Sequence, residues 1–343
     1  MFMNIFKNDA FSLASMSGAI ERIPTLQNHL GSLNLFTPNP IRNLIVGVEE
    51  RDGKLSVIQT SKRGEPLKKR DTEKRKTRYF ETSRIAKQDT ILASELQFVR
   101  QFNTEDQIVE LQAELARRLA GPTGLLSDVE YTWERMRLGA IQGKLLDADD
   151  SVIYNFYDEF GISEPSEIAF DLANGSPAAG VLRKKVQASV IRPMRKKAKG
   201  ARYSGIRALC GSAFFDDLIA HVEVRDTYLN QQEASELRTG YDRKPFNFAG
   251  VIWEEFIGDD EDTDISVGVD KVRFIPEGVG NGVFEVVWSP GESFADVGEL
   301  GQPVYPLVVP DTKRDQYVDL EVYSYPLFMC KRPDMLLRGK RQA

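Results

Sequence analysis

The chain has 343 residues, 41% of them hydrophobic and 28% charged, with a formal net charge of −6. Those proportions are ordinary for a globular protein, and the length can bury one large core or two smaller ones. They count against a dedicated nucleic-acid binder, whose domain is basic overall, and no apolar run is long enough for a bilayer-spanning helix.

Residues 1–41 carry isolated apolar anchors (Phe6, Phe11, Ile20, Ile23, Leu26, Leu30) among polar and turn residues, and Pro24, Pro38 and Pro40 rule out a long helix. They read as an extended arm. They also lack the basic-then-apolar order of a signal peptide, and Arg338–Ala343 is no lipidation signal, so the expectation is synthesis in a cytoplasm.

Residues 42–91 read as a long β-hairpin with nothing of its own to pack against. Asn43–Val48 alternates as a strand, Asp52-Gly53 centres a tight turn, and Leu55–Thr60 is the expected return strand. The run from Lys62 to Arg78 then holds nine basic and three acidic residues, too polar for a core. A two-stranded ribbon alone is marginal in water. Its support is expected from another surface, most simply a second copy of the chain. Lys68, Lys69, Arg70, Lys74, Arg75, Lys76 and Arg78 are the candidate intersubunit contacts.

In residues 92–162, Thr104 and Gln107 have capping-box spacing, and Ile108, Leu111, Leu115 and Leu119 follow at helical intervals. After the break at 121–124, Val129, Trp133, Met136 and Ala140 share one face of a second helix that ends near Gly143. This pair forms a spine that needs a sheet against its apolar stripe. Lys144–Leu146 and Val152–Phe156, joined at Asp149-Asp150, supply a candidate hairpin.

In residues 163–315, Ser176-Pro177 reads as a helix start leading into a basic stretch, which Pro193 should kink or end. Ile206–Cys210 is a buried strand, and Ser212 is expected to cap a helix carrying Phe214, Phe215, Leu218 and Ile219. Phe246–Ile257, Lys271–Ile275 and Gly282–Trp288 read as strands. In residues 316–343, Tyr317–Tyr325 alternates well and Pro326–Cys330 follows. The class is α+β with mixed or antiparallel sheets.

A search for chemistry finds little. Cys210 and Cys330 lie far apart among apolar residues and read as buried thiols. His29 lies in the arm; His221 ends a helix beside Asp216 and Asp217, a pair that could serve as a general base but has no nucleophile near it, and a helix-end histidine is the simpler reading. No zinc-ligand spacing occurs. Asp259–Asp264 could chelate a hard cation, though the stretch lacks the glycine and terminal glutamate of an EF-hand and suits a solvated loop better. Gly278–Gly282 precedes a strand where a phosphate loop requires a helix, so it reads as a turn. No cofactor, metal or catalytic residue is expected. Charge is nonetheless uneven: residues 183–199 carry only basic charges and 254–264 only acidic ones. Such patches suit self-association, although either could be a solvated face.

Gly205–His221, with its Leu-Cys-Gly-Ser and Phe-Phe-Asp segments, resembles the lambda-like major capsid proteins of tailed bacteriophages, the major capsid protein E family. Phe274–Val279, Tyr323–Pro333, Val48–Leu55, Arg63-Gly64 and Arg78-Tyr79-Phe80 are similar to that family as well, in the same order, from about Ile20 to Arg338. The acidic loop 259–264 and Pro193 depart from it. The resemblance implies the Hong Kong 97 capsid fold: N-terminal arm 1–41, extended loop 42–91, peripheral domain with spine helix 92–162, axial domain 163–315, and a C-terminal strand 316–343 returning to the peripheral domain. It implies a virion shell of hexamers and pentamers around double-stranded DNA that the protein does not specifically recognise, with expansion during maturation. It also implies a portal as partner and no membrane; residues 1–40 are too short for a built-in scaffolding domain, so a separate scaffolding protein is expected, and whether a decoration protein caps the three-folds is left open. Two rivals stand beside it: a nucleic-acid-binding protein using residues 62–78 and 183–199, and an enzyme with a cryptic carboxylate site.

Overall fold

The computed structural model describes residues 29–52, 74–98, 107–121, 123–175, 177–198, 203–229, 245–256, 265–278, 283–314 and 316–342. In chain order these form α1 (His29–Ser32), β1 (Thr37–Pro40), β2 (Ile45–Asp52), β3 (Lys74–Glu81), β4 (Ile85–Leu92), α2 (Ala93–Phe98), α3 (Gln107–Ala120) and α4 (Leu125–Gln142). Next come β5 (Lys144–Leu146), β6 (Val152–Asn155), α5 (Phe156–Phe160), β7 (Ile168–Ala169), α6 (Val181–Val186), α7 (Arg192–Ala198) and β8 (Gly205–Cys210). The remainder is α8 (Ser212–Ala220), α9 (Val222–Leu229), β9 (Phe246–Phe248), β10 (Val251–Glu255), β11 (Lys271–Glu277), β12 (Phe284–Trp288), β13 (Tyr305–Pro310), β14 (Tyr317–Ser324), β15 (Pro326–Cys330) and β16 (Leu337–Lys340).

The helix α4 organises the packing. Leu125, Val129, Trp133, Met136 and Ala140 recur every three or four residues and are all buried, as the spacing requires. Glu134, Leu138 and Ile141 are buried too, so the second half is enclosed on more than the one side expected from the sequence. Trp133 meets Trp288 edge-on at 5.0 Å and donates from Nε1 to Ser324 Oγ at 3.3 Å, tying the helix to β12 and β14. Gly143 ends it at φ 83°, and a Cβ there would stand 2.4 Å from the Tyr157 ring, so both conformation and space require glycine.

Around α4 lie a β13-β14-β4 sheet, a β1-β12-β15 sheet and the β5-β6 hairpin; a six-stranded sheet runs β7-β16-β11-β8-β10-β9. Each sheet joins distant parts of the sequence. β1 adds in parallel to β12, its two prolines at an edge where a missing N–H is tolerated. β14 pairs antiparallel with both β4 and β13, and β16 pairs with β11. The core of the six-stranded sheet is aromatic: Phe170, Phe214, Trp253 and Phe274 contact one another with ring centroids 5.5–6.2 Å apart.

Several local expectations need correction. Phe246–Ile257 is not one strand: Ala249 (φ 55°) and Gly250 (φ 83°) form a two-residue turn with positive φ at both positions, joining β9 to β10. Helix α6 begins after Gly180 rather than at Ser176-Pro177. Pro193 neither ends nor breaks its helix. A π-turn at Gln187–Ile191, closed by Arg192 N–H to Gln187 O, precedes it, and α7 continues through the proline. A wider turn before a proline relieves the clash its ring makes with the carbonyl four residues back. Gly211, not Ser212, is the N-cap of α8, with no side-chain cap. His221 starts a helix as well as ending one, because its Nδ1 accepts from Glu223 N–H at 3.3 Å and its carbonyl accepts from Val224 and Arg225. The cap at Thr104, the acidic run 259–264 and the turn at 279–282 lie outside the described residues.

Candidate assembly surface

The ribbon is a two-stranded stem with a register different from the one the Asp-Gly turn suggests. β2 pairs antiparallel with β3 from Ile45↔Glu81 to Asp52↔Lys74. The end of the basic run, from Lys74 to Arg78, is therefore itself part of a strand, and the expected return strand Leu55–Thr60 lies outside the described residues, as do Lys68, Lys69 and Arg70. Eight residues per strand correspond to a stem of roughly 26 Å.

One face of the stem's root is fixed to its own chain. Phe80 is 1% exposed and its ring lies 5.4 Å from Tyr154, 6.3 Å from Phe156 and 6.2 Å from Phe160. Tyr154 Oη accepts from Glu81 N–H at 2.9 Å. Arg78 is 9% exposed: its Nε donates to the Glu159 carbonyl at 2.6 Å and its guanidinium stands 4.8 Å over the Phe160 ring. Among the candidate contacts, then, Arg78 is an internal anchor rather than a residue presented to a neighbour.

The opposite face is uncovered. Leu44 and Ile45 are more than half exposed, and Tyr79 is 72% exposed with its ring edge over Gly47. Farther along this face, Arg75 makes an open ion pair with Glu49 at 3.5 Å. Lys76 is exposed as well, although the register puts it on the same side as Arg78, and Lys74 stands in the last register pair. The structure thus places Arg75 and Lys76 outward and Arg78 inward. The sequence reading missed Leu44, Ile45 and Tyr79; their signal was alternation with Val46, Val48 and Phe80, masked by the surrounding charge.

A second charged face lies on α6 and α7. Leu182, Val186, Val190, Ile191, Met194 and Ala198 are buried, while Arg183, Lys184, Arg192, Arg195 and Lys196 project outward. Arg183 is held by Thr227 Oγ1 at 3.2 Å and by the Phe248 ring at 5.5 Å. The end of α7 is held from the C-terminal segment: Arg332 Nη1 donates to Ala198 O at 2.8 Å.

Buried charge elsewhere fastens elements together. Glu134 on α4 accepts from Leu30 N–H at 2.5 Å and pairs with Arg137 at 3.2 Å, while burial lowers the Arg137 pKa. Arg118 on α3 reaches Glu114, Asp89, Glu95 and the Thr90 carbonyl, joining α3 to β4 and α2. Among the described residues no group of three or more His, Cys, Asp or Glu is arranged to hold a metal, and no helix is long and apolar enough to cross a membrane.

Residues 12–341 match the family model described as phage major capsid protein E. A curated relative, the major capsid protein of Salmonella phage Felix O1, is 26% identical, with 97% of each chain covered. In three dimensions the chain is similar to the capsid protein of the cyanophage P-SCSP1u at a TM-score of 0.51 and 9% identity, covering 94% of this chain and 90% of that one. That likeness shows the Hong Kong 97 type of capsid fold, in an α+β architecture.

Proposed function

The chain belongs to the phage major capsid protein E family, and from that premise we propose that its copies close into hexamers and pentamers that tile the icosahedral shell of a tailed double-stranded DNA phage. Closure of this kind needs heterologous contacts, in which one surface of a subunit meets a different surface of the next. The observation that carries the reading is the ribbon: one face of its root is bound into its own chain by Phe80 and Arg78, and the other is left apolar and basic. In this reading the β2-β3 ribbon is the extended loop, α3 and α4 are the spine, and the six-stranded sheet is the heart of the axial domain. β12 and β13 pair with the C-terminal strands β15 and β14, and β14 pairs in turn with β4, which supports counting them with the peripheral domain.

Lys68, Lys69, Arg70, Lys74, Arg75 and Lys76 would face carboxylates of an adjacent copy. The protein's part is structural rather than catalytic, with synthesis in the host cytoplasm, assembly with a portal and a separate scaffold, and incorporation into the virion shell. The net charge of −6 suits a wall that encloses DNA without gripping it, because strong phosphate contact would oppose packaging and release. Electron microscopy of the purified full-length chain tests this. Wild type should form closed shells, and replacing those six basic residues with glutamate should leave a soluble subunit that forms none. Normal shells from the variant would refute the ribbon's role; a wild-type chain that stays monomeric under every assembly condition would refute the function itself.

A further inference from the structure

The loop between β12 and β13 presents an aromatic side chain to water from a rigid base. Phe294 is 101% exposed and Val297 is 73% exposed. Scattered apolar residues on a surface need no explanation, but this loop is built with care. Ser293 Oγ donates to Asp296 Oδ2 at 2.6 Å, Asp296 N–H returns to Ser293 O at 3.0 Å, and Glu299 N–H reaches Asp296 O at 3.0 Å. Arg42 donates to the Gly298 carbonyl, and Gly301 N–H to Ile41 O at 2.9 Å. Neither Gly291 nor Gly301 has room for a Cβ: one would meet Asp296 Oδ2 at 2.4 Å, the other the Trp288 carbonyl at 2.0 Å.

Beside this knob lies a cavity of about 230 Å³, lined by Glu292, Ser293, Asp296, Tyr305, Leu307, Tyr323 and Tyr325. Its size suits one aromatic side chain, since a cavity of roughly 150 Å³ admits benzene. Aromatic walls with carboxylates also suit a cation, but the chain supplies one already: Arg84 pairs with Glu292 at 2.8 Å and stands 5.2 Å over Tyr323. Asp296 is held by Ser293, so the vacant volume is bounded mainly by tyrosine rings and Leu307. Burial raises the Tyr325 phenol to about 12, so it remains neutral.

Ser293 and Asp296 lie on either side of Phe294 and also line the cavity, so the loop that carries the knob forms one rim of the socket. Phe294 is fully exposed and does not fill the socket of its own chain. A copy rotated about a nearby axis can fill it, each copy giving one ring and receiving another, which closes a heterologous cycle. We propose that Phe294 of one copy inserts into the Tyr305–Leu307–Tyr323–Tyr325 socket of a rotation-related second copy. The partner follows from the reading of the chain as a shell subunit. Charge of both signs near the knob and socket fits self-contact: Glu292 and Asp296 line the cavity, Arg84 pairs with Glu292, and Arg42 reaches the loop at Gly298.

The test uses full-length chain. In the double variant Phe294→Cys/Leu307→Cys, copper-catalysed air oxidation of assembled particles should give a ladder of covalent multimers that ends at the number of copies around the axis. Neither single variant should ladder, and Cys210 and Cys330, both 0% exposed, should stay silent. Phe294→Asp should raise the protein concentration for half-assembly at least tenfold, with the subunit's melting temperature unchanged. Shells of the double variant without a ladder, or Phe294→Asp assembling at the wild-type concentration, would overturn the contact while leaving the capsid function standing. A ladder from Arg75→Cys/Leu307→Cys instead would assign the socket to the neighbour's basic ribbon and overturn it as well.

Discussion

Arg78 and the Arg75/Lys76 pair lie on one strand but should fail in opposite ways when altered. Arg78 gives a charged hydrogen bond to the Glu159 carbonyl at 2.6 Å, a group worth about 1.5–3 kcal/mol. It adds a cation–π contact at 4.8 Å, worth about 0.5–2 kcal/mol. Methionine keeps most of the packed stem, so Arg78→Met should cost roughly 2–4 kcal/mol through the lost contacts and the unpaired carbonyl. For a chain of this size that is a melting-temperature fall of about 4–8 °C at roughly 2 °C per kcal/mol. Arg75 is 61% exposed at its side chain and its ion pair with Glu49 spans 3.5 Å, so Arg75→Glu/Lys76→Glu should cost under about 1 kcal/mol. Differential scanning fluorimetry on unassembled subunit reads the first quantity, and sedimentation of assembly reactions reads the second. Arg78→Met should melt early yet assemble below its transition; the double reversal should melt like wild type and not assemble. If Arg78→Met kept its melting temperature and lost assembly, the division of the strand into an anchored root and a presented end would be wrong.

Gly301→Ala should be the most damaging single methyl in the β12-β13 loop, because its Cβ would lie 2.0 Å from the Trp288 carbonyl; greater loss of soluble subunit than from Gly298→Ala is the measurement, since a Cβ at Gly298 meets nothing within 4 Å and bears only the strain of its φ of 81°. The hydrogen bond from Arg117 lowers the Glu114 carboxyl to about 2, so its contribution to stability is full above the ordinary value near 4.5 and is lost as pH falls towards 2. Screening limits that contribution to about 1 kcal/mol, so Glu114→Gln should lower the urea midpoint slightly at pH 7 and lose less than wild type on acidification. Cys210 and Cys330 are fully buried, and burial raises both thiols. A thiol reagent should titrate neither in the folded subunit and both after denaturation; prompt reaction of either would contradict the packing of β8 or β15.

Helical periodicity and buried strands were legible in the sequence because their signal is local. Val129, Trp133, Met136 and Ala140 specify the buried face of α4 by spacing alone, and Ile206–Cys210 reads directly as β8. The ribbon's register was not legible: an Asp-Gly pair advertises a tight turn, while the pairing of β2 with Lys74–Glu81 spans 21 intervening residues with no local marker. The basic strand was obscured because only Arg78 and Phe80 of its eight residues are buried among the described side chains, too few for alternation to show. The β9-β10 turn was missed because Ala249 is an uncommon residue at positive φ inside an apolar run. The candidate contacts were legible as a charged run, but their split was not: Arg75 lies on the face opposite Arg78, while Lys76 shares the face of Arg78 and is exposed because it lies farther out along the ribbon.

What separates a shell subunit from a monomer with a few stray apolar residues is where rigidity is spent. Tyr79 at 72% exposure sits one residue from Phe80 at 1%, and Phe294 at 101% rises from a turn fixed by Ser293, Asp296 and Arg42. Each exposed ring is backed by a buried or hydrogen-bonded neighbour that sets its direction. A monomer gains nothing by ordering such residues, because water is their only partner. An associating subunit gains, since groups held in their bound geometry lose less freedom when a neighbour arrives, and more of the buried area then appears as affinity. Many weak, pre-shaped contacts suit a closed lattice better than a few strong ones: misplaced subunits can leave while the finished shell is held by repetition. Loosening the bases should therefore harm assembly even when the rings remain. Asp296→Ala keeps Phe294 but frees its turn, and it should raise the assembly concentration part of the way towards Phe294→Asp. Wild-type assembly from Asp296→Ala would show that the ring acts through area alone and that its bracing is incidental.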